Sequence, residues 1–257
     1  MRTRQILAAI AASATVTGVA HAANAIEVVG GQTNVALDAA LIEAATGLAL
    51  SGVSDDVIAP GTLEGSVAFT INARDAESLP TTFGYDLGDF GGSFAGAIEH
   101  TGSVFFNDGS VEVGNFTIGF DAARAGTLDG AASGFFVEST TGVAAILFDV
   151  AVTGAVPGGN ALAVSGDLLV SPEFAAFLGN PALAGADVGD ALVEGDNGVT
   201  GVDVNDNGVV DVRDFRLFIF QFIRRSAGAD FNADGVVNGD DFRAFFFTWA
   251  DARYDRH

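Results

Sequence analysis

The chain of 257 residues contains no cysteine and no lysine, and it has only one tryptophan, two tyrosines, three histidines and five prolines. Without cysteine there can be no disulfide, thiolate-bound zinc, iron–sulfur cluster or thiol nucleophile. Without lysine every base is an arginine, and 11 bases stand against 33 acids for a formal net charge of −22. Phosphate recognition depends on clustered Lys and Arg, so this balance excludes nucleic acid as a partner and disfavours anionic membrane surfaces. The histidines stand at positions 21, 100 and 257, which leaves little for imidazole chemistry. Past the first 25 residues no uninterrupted apolar run approaches the roughly 18 residues needed to span a bilayer. No transmembrane segment is therefore expected in the mature chain.

The N-terminus reads Met1-Arg2-Thr3-Arg4, then a weakly apolar run from Ile6 to Ala20, then two alternative small-x-small sites, Ala20-His21-Ala22 and Ala23-Asn24-Ala25. This pattern predicts a signal peptide over 1–25 and a secreted, extracellular or surface-associated product. Ser13, Thr15, Thr17 and Gly18 make the run too polar for a membrane span. Cleavage would remove two bases and no acid, leaving nine bases, 33 acids and a net charge of −24.

Residues 26–193 show period-two alternation broken by Gly, Asn, Asp and Pro, the pattern of antiparallel strands and tight turns. Val67, Phe69 and Ile71 alternate with smaller residues, as do Leu162, Val164, Leu168 and Val170 around Gly166. Asn107-Asp108-Gly109 and Pro157-Gly158-Gly159-Asn160 predict hairpin turns. The slip of parity at Gly114-Asn115 predicts a bulge within one strand. Seven or eight such strands argue for a mainly β N-terminal domain, an antiparallel sandwich or barrel. Two short helices decorate it: Asp38 to Ala45, with Leu37, Leu41 and Leu48 on one stripe, and a turn capped by Ser171-Pro172-Glu173 and stopped by Gly179-Asn180.

Residues 194–202 read as a small flexible linker. Beyond it, residues 203–257 hold nine of the 22 Phe, the only Trp and seven of the 11 Arg, which predicts a separate, mainly helical domain. Laying 203–222 over 230–249 reveals a repeat at an offset of 27, with ten of twenty positions identical. Each copy places oxygen side chains at positions 1, 3, 5, 9 and 12 of a twelve-residue loop, with Gly at position 6. That is the spacing a hard cation of calcium's size requires.

The first loop offers Asp203, Asn205, Asn207, Asp211 and Asp214, with the carbonyl of Val209 at position 7; the second offers Asp230, Asn232, Asp234, Asn238 and Asp241, with the carbonyl of Val236. Three carboxylates per loop repel one another without a cation, by about 4 kcal/mol for a pair 4 Å apart at an effective dielectric near 20. Two Ca2+ ions are therefore expected, linked to folding. Helices follow each loop, with Phe215, Phe218, Ile219 and Phe222 in the first and Phe242, Phe245, Phe246 and Trp249 in the second as the expected core stripe. Leu217, Phe220, Ile223 and Phe247 lie off it, and Phe220 and Phe247, equivalent in the repeat, are expected in a docking surface for a partner or for the β-domain.

Tandem Asp-x-Asn-x-Asp/Asn-Gly loops, each followed by a Phe-containing helix, resemble a type I dockerin over residues 203–250. The resemblance implies a pair of loop-and-helix units related by pseudo-twofold symmetry, calcium at the ligand positions named above, and docking onto a cohesin-like module of a scaffold or surface protein. Asn207 stands where the family more often has Asp, which predicts a weaker first site. Val212-Arg213 and Gly239-Asp240 stand where Ser or Thr is frequent just before position 12. Segments 94–106 and 167–177 are also similar to those of exported, variably anchored bacterial proteins, which implies only that one β-domain can be joined to different tails.

The leading expectation is a secreted modular protein displaying a non-catalytic β-domain through this dockerin-like module. Dockerin-bearing chains are often polysaccharide-degrading, so the alternative is a tethered glycoside hydrolase or carbohydrate-binding subunit. Asp86, Asp89, Glu99, Asp108 and Asp121 supply acids for it, but no motif singles out a catalytic pair. Sugar platforms are scarce, since Tyr85 is the only Tyr and there is no Trp before residue 203. His100 is expected at an exposed strand position. A further reading treats the excess acid as salt adaptation.

Overall fold

The computed structural model describes residues 26–159, 161–197, 202–205, 209–231 and 236–254. The expected signal peptide and the ligand positions Asn207, Asn232 and Asp234 lie outside them. The described fold is mostly β, built on one antiparallel sheet. Its strands are β1 (Ile26–Leu37), β2 (Leu50–Val53), β3 (Val67–Thr70), β4 (Gly84–Tyr85), β5 (Ile98–Glu99), β6 (Ser103–Phe106), β7 (Val111–Phe120), β8 (Phe135–Gly142), β9 (Ala145–Pro157), β10 (Ala161–Val170) and β11 (Asp187–Asn197). Their order is β2-β6-β7-β8-β9-β10-β11-β1-β3, with β4 added to β1 and β5 to β7.

Short connections hold neighbours antiparallel. In the β6–β7 hairpin Asn107, Asp108 and Gly109 all take positive φ, at 51°, 54° and 82°, a conformation that Asn, Asp and Gly tolerate best. Gly158 N–H donates to the Ala161 carbonyl in the β9–β10 turn. β7 runs unbroken through Asn115 (φ 48°), and its buried positions are Val113, Gly114, Phe116 and Gly119. Its pairing with β8 keeps a single register from Val113 to Phe120, so the expected bulge is absent from that ladder. Register shifts in the β1–β11, β10–β11, β9–β10, β8–β9 and β2–β6 pairs sharpen the twist. The sheet accordingly curls into a half-barrel, and an isolated bridge joins Ile71, just past β3, to His100, just past β5.

Local signals placed the flanking helices. α1 (Ala39–Thr46) starts where the Asp38 carboxylate accepts the Leu41 N–H at 2.9 Å and ends at Gly47 (φ 73°). Its buried residue is Ile42, whereas Leu41 is 43% exposed; of the expected stripe, Leu48 is buried and Leu37 packs against the same cluster, and only Leu41 is corrected. α2 (Phe90–Ser93) is a single turn, and α3 (Pro172–Phe177) is capped by Ser171 as expected. The expected linker also moves. Glu194 to Asn197 continue β11 against β1, and the Asn197 amide donates to the Tyr85 hydroxyl (2.9 Å) and the Gly158 carbonyl (2.8 Å). A Gly-Asp-Asn composition reads as flexible, but tertiary pairing overrides it.

One buried charge network ties three segments together. Arg124, from the β7–β8 connection, grips Asp149 of β9 through Nε (2.6 Å) and Nη2 (2.8 Å), and Glu173 of α3 through Nη1 (2.7 Å) and Nη2 (3.0 Å). Asp149 is wholly buried. Bonding to Glu173 and Asp149 raises the Arg124 pKa, and the same contact lowers that of Glu173.

The remaining helices, α4 (Val212–Ile223) and α5 (Gly239–Tyr254), enclose a core of Val202, Val210, Phe218, Ala229 and Phe245. Its ring contacts follow the repeat. Phe218 and Phe245, equivalent at the offset of 27, stack face to face with centroids 3.8 Å apart and planes 2° from parallel. The contact of Phe215 with Trp249 (5.0 Å) has its exchanged counterpart in Phe222 with Phe242 (5.9 Å). Swapping the two repeats maps the central stack onto itself and these two flanking contacts onto each other. Phe246, expected in the core stripe, is 39% exposed, at the margin of this cluster. No helix among the described residues is long and apolar enough to cross a membrane.

Candidate metal centre

Positions 9 and 12 of each loop double as the start of the following helix. Asp211 caps α4, accepting the Arg213 N–H at 2.6 Å, while Asp214 returns a carboxylate oxygen to the Asp211 N–H at 2.8 Å, a capping box. In the second loop Asn238 accepts the Asp240 N–H (2.7 Å) and Asp241 accepts the Asn238 N–H (2.7 Å). The other oxygen of each position-12 carboxylate reaches back to the loop's beginning: Asp214 Oδ1 accepts from the Asn205 backbone (3.2 Å) and side chain (2.5 Å), and Asp241 Oδ1 from the Phe231 N–H (2.9 Å). Each loop is thus closed end to end through its last ligand position.

The burial of these groups bears on whether they suit a cation. Asp203, Asp214 and Asp241 are 1%, 0% and 0% exposed. Burying a carboxylate is costly unless its charge is compensated. Asp214 is held by amide donors, while the ion pairs described in this region, Arg213 with Asp211 (3.9 Å) and Arg243 with Asp240 (3.8 Å), involve arginines projecting into solvent. Oxygen-only donors of this kind fit a hard divalent cation of calcium's size. Asp203, Asn205, Asp211 and Asp214 would hold one ion with the Val209 carbonyl, and Asp230, Asn238 and Asp241 a second with the Val236 carbonyl. Among the described residues no cluster of three or more His, Cys, Asp or Glu forms a metal site by itself. Asn207, Asn232 and Asp234 would be needed to complete each sphere. A bound Ca2+ would supply positive charge at the two helix starts.

Phe220 and Phe247, the expected docking residues, are 49% and 60% exposed, and Ile223 is 76% exposed. The Arg224 guanidinium lies 3.7 Å from the Phe220 ring centroid, a cation–π contact over part of that ring. One contact had no local signal in the sequence. The Trp249 indole N–H donates to the Asp211 carbonyl at 2.9 Å, so the second helix holds the first loop's position-9 residue. Only the pairing of the two repeats, which sets α5 beside the first loop, brings them together.

The acids of the β-domain do local work. Asp86 and Asp89 cap a 3-10 turn and α2, Asp108 sits in the β6–β7 turn, and Asp121 accepts the Ala123 N–H at 2.8 Å. Glu99 pairs with Thr117 (2.6 Å), and burial, together with nearby Glu138, raises its pKa against the lowering effect of that bond. His100 is 1% exposed, contrary to the expected surface position. The alternation in 94–106 left its face ambiguous, and the Ile71 bridge turns it inward. Because the Phe116 carbonyl can only accept, Nδ1 carries the proton (3.0 Å), and Nε2 accepts from the Thr33 hydroxyl (2.7 Å).

Desolvation pushes the His100 pKa down to about 4, outweighing the Phe116 bond. In the unfolded chain the ring protonates near 6.5. Between those values the unfolded chain holds the extra proton, so stability is complete above about pH 6.5 and drains as pH falls towards 4, by at most about 3 kcal/mol. Urea midpoints of the H100Q variant should fall less steeply over this window than those of the wild type; parallel curves would contradict it.

No protein-family model matches the chain, and no curated protein sequence matches it. Among solved structures it resembles the crystal structure of the C-terminal domain of HtaA from Corynebacterium glutamicum, with a TM-score of 0.44 and 12% identity, covering 67% of this chain and 99% of that one.

Proposed function

We propose that this is a secreted, modular, dockerin-like protein whose two C-terminal loops bind calcium and whose exposed helix faces dock onto a cohesin-type module, displaying a non-catalytic β-domain. The domains run over 26–197 and 202–257, after a signal peptide at 1–25. The β-domain is read as a barrel, with the Ile71–His100 bridge and the β5–β7 pair carrying the sheet back towards its own start. The observation that supports the calcium reading best is the matched burial of Asp214 and Asp241, each bonded both to its helix start and to its loop's beginning. Such carboxylates are suited to a cation, and the repeat supplies them twice.

Calorimetry on residues 26–257 should register two equivalents of Ca2+, with D214N and D241N each removing one. Absence of saturable heat would sink the proposal. Against a panel of cohesin modules, capture should require calcium, and the double variant F220A/F247A should weaken it at least tenfold while leaving calcium stoichiometry intact. Capture that is indifferent to a chelator would remove calcium from the docking step.

A further inference from the structure

The interior of the curled sheet is not one continuous core. Its buried apolar residues form two clusters, one including Phe69, Phe116 and Leu147, the other Phe83, Ile98 and Leu162. Between them lies a cavity of about 100 Å³ to which both clusters contribute wall. Protein interiors are otherwise close-packed, with few voids larger than one water, so a space of this size is a built feature of the sheet. Ala191 carries the smallest side chain of the wall, whereas a Cβ at Gly166 would meet Val150 at 2.7 Å, so Gly166 serves the close approach of β9 and β10.

The chemistry of the wall selects what can enter. Among the lining residues only Thr33, His100 and Ser165 carry polar side chains. The first two bond to each other at 2.7 Å, and Ser165 Oγ accepts from Thr153 at 3.1 Å. The second nitrogen of His100 is taken by the Phe116 carbonyl. A buried water needs two to four polar partners, and apolar cavities of comparable size in other proteins stay dry and take up benzene or xenon. A sugar hydroxyl would lose its hydration without replacement and be rejected.

There is also a way in. Among the lining residues Val152 is 37% exposed, and Val164 and Ser165 are half-buried. These three flank the register shift of the β9–β10 ladder at Ser165/Gly166, where strand pairing is irregular.

We infer that the β-domain binds a compact non-polar molecule, of the size and character of a small aromatic ring or short hydrocarbon group, in this cavity, entering past the β9–β10 bulge. The site is independent of the calcium loops, and its occupant is hydrophobic rather than saccharide.

The probe is benzene, titrated into residues 26–257 with methyl groups labelled for NMR. Saturable ring-current shifts should appear at Leu147, Leu162 and Val193 and stay small at methyls of the helical module. Two variants narrow the site from different sides: Ala191→Leu fills the wall and Val164→Phe blocks the rim. Each variant that keeps the wild-type circular dichroism should bind benzene at least tenfold more weakly. Lack of saturation up to the solubility of benzene would overturn the inference, as would equal binding by a folded variant. Methyl glucoside serves as the polar control; shifts at the same methyls with similar affinity would overturn the hydrophobic assignment.

Discussion

Replacing Arg124 by alanine should lower the stability of the β-domain by about 3–5 kcal/mol, measured as the shift in urea unfolding followed by far-UV circular dichroism. The size follows from Asp149, which is wholly buried and receives two of the four bonds that the guanidinium makes. Truncation strands that carboxylate in a place water does not reach. The half-exposed Glu173 can turn to solvent and contributes less. A lysine at position 124 should recover only part of the loss, because a single ammonium cannot reproduce two paired grips on two carboxylates. The double variant R124L/D149L separates charge from packing, since removing both partners should cost much less than removing Arg124 alone. An R124A protein within 1 kcal/mol of the wild type would show that the network is not a structural pin.

Chelating calcium should unfold the C-terminal module while leaving the β-domain intact. At a free ion concentration a thousand times the dissociation constant, each site stabilises by about 4 kcal/mol, which is comparable to the whole stability of a domain this small. The chain reports on this selectively. Trp249 is the only tryptophan, packs against Phe215 with ring centroids 5.0 Å apart and bonds to the first loop through Asp211. Addition of a chelator should therefore shift its fluorescence to the red, with the β-sheet circular dichroism unchanged, and excess Ca2+ should restore it while sodium at equal ionic strength should not. Unchanged tryptophan emission on chelation would contradict the linkage, and equal rescue by sodium would favour salt adaptation.

Much of the strand pattern was legible because its signals are local. Asn107-Asp108-Gly109 and the Ser171 cap each act within a few residues, and the structure has them where the spacing put them. What escaped depends on partners distant in sequence. Glu194 to Asn197 read as linker because nothing nearby reveals the pairing with β1 or the Tyr85 hydroxyl. His100 was misplaced because an alternating strand does not declare which face is inside until Ile71 arrives opposite it. Leu41 turns to solvent and Ile42 to the core because the docking direction of α1, and not its periodicity, decides which of the two is covered. The loops stood out in sequence through their repetition, and the interior cavity left no trace, since its wall is assembled from most of the strands.

The parallel stack of Phe218 on Phe245 makes the C-terminal module, in effect, a dimer fused into a single chain. Each half donates one ring to the other's centre, so neither half owns a complete interior. A half-assembled form would expose the rings it had not yet matched, so the two repeats are expected to fold together and not one after the other.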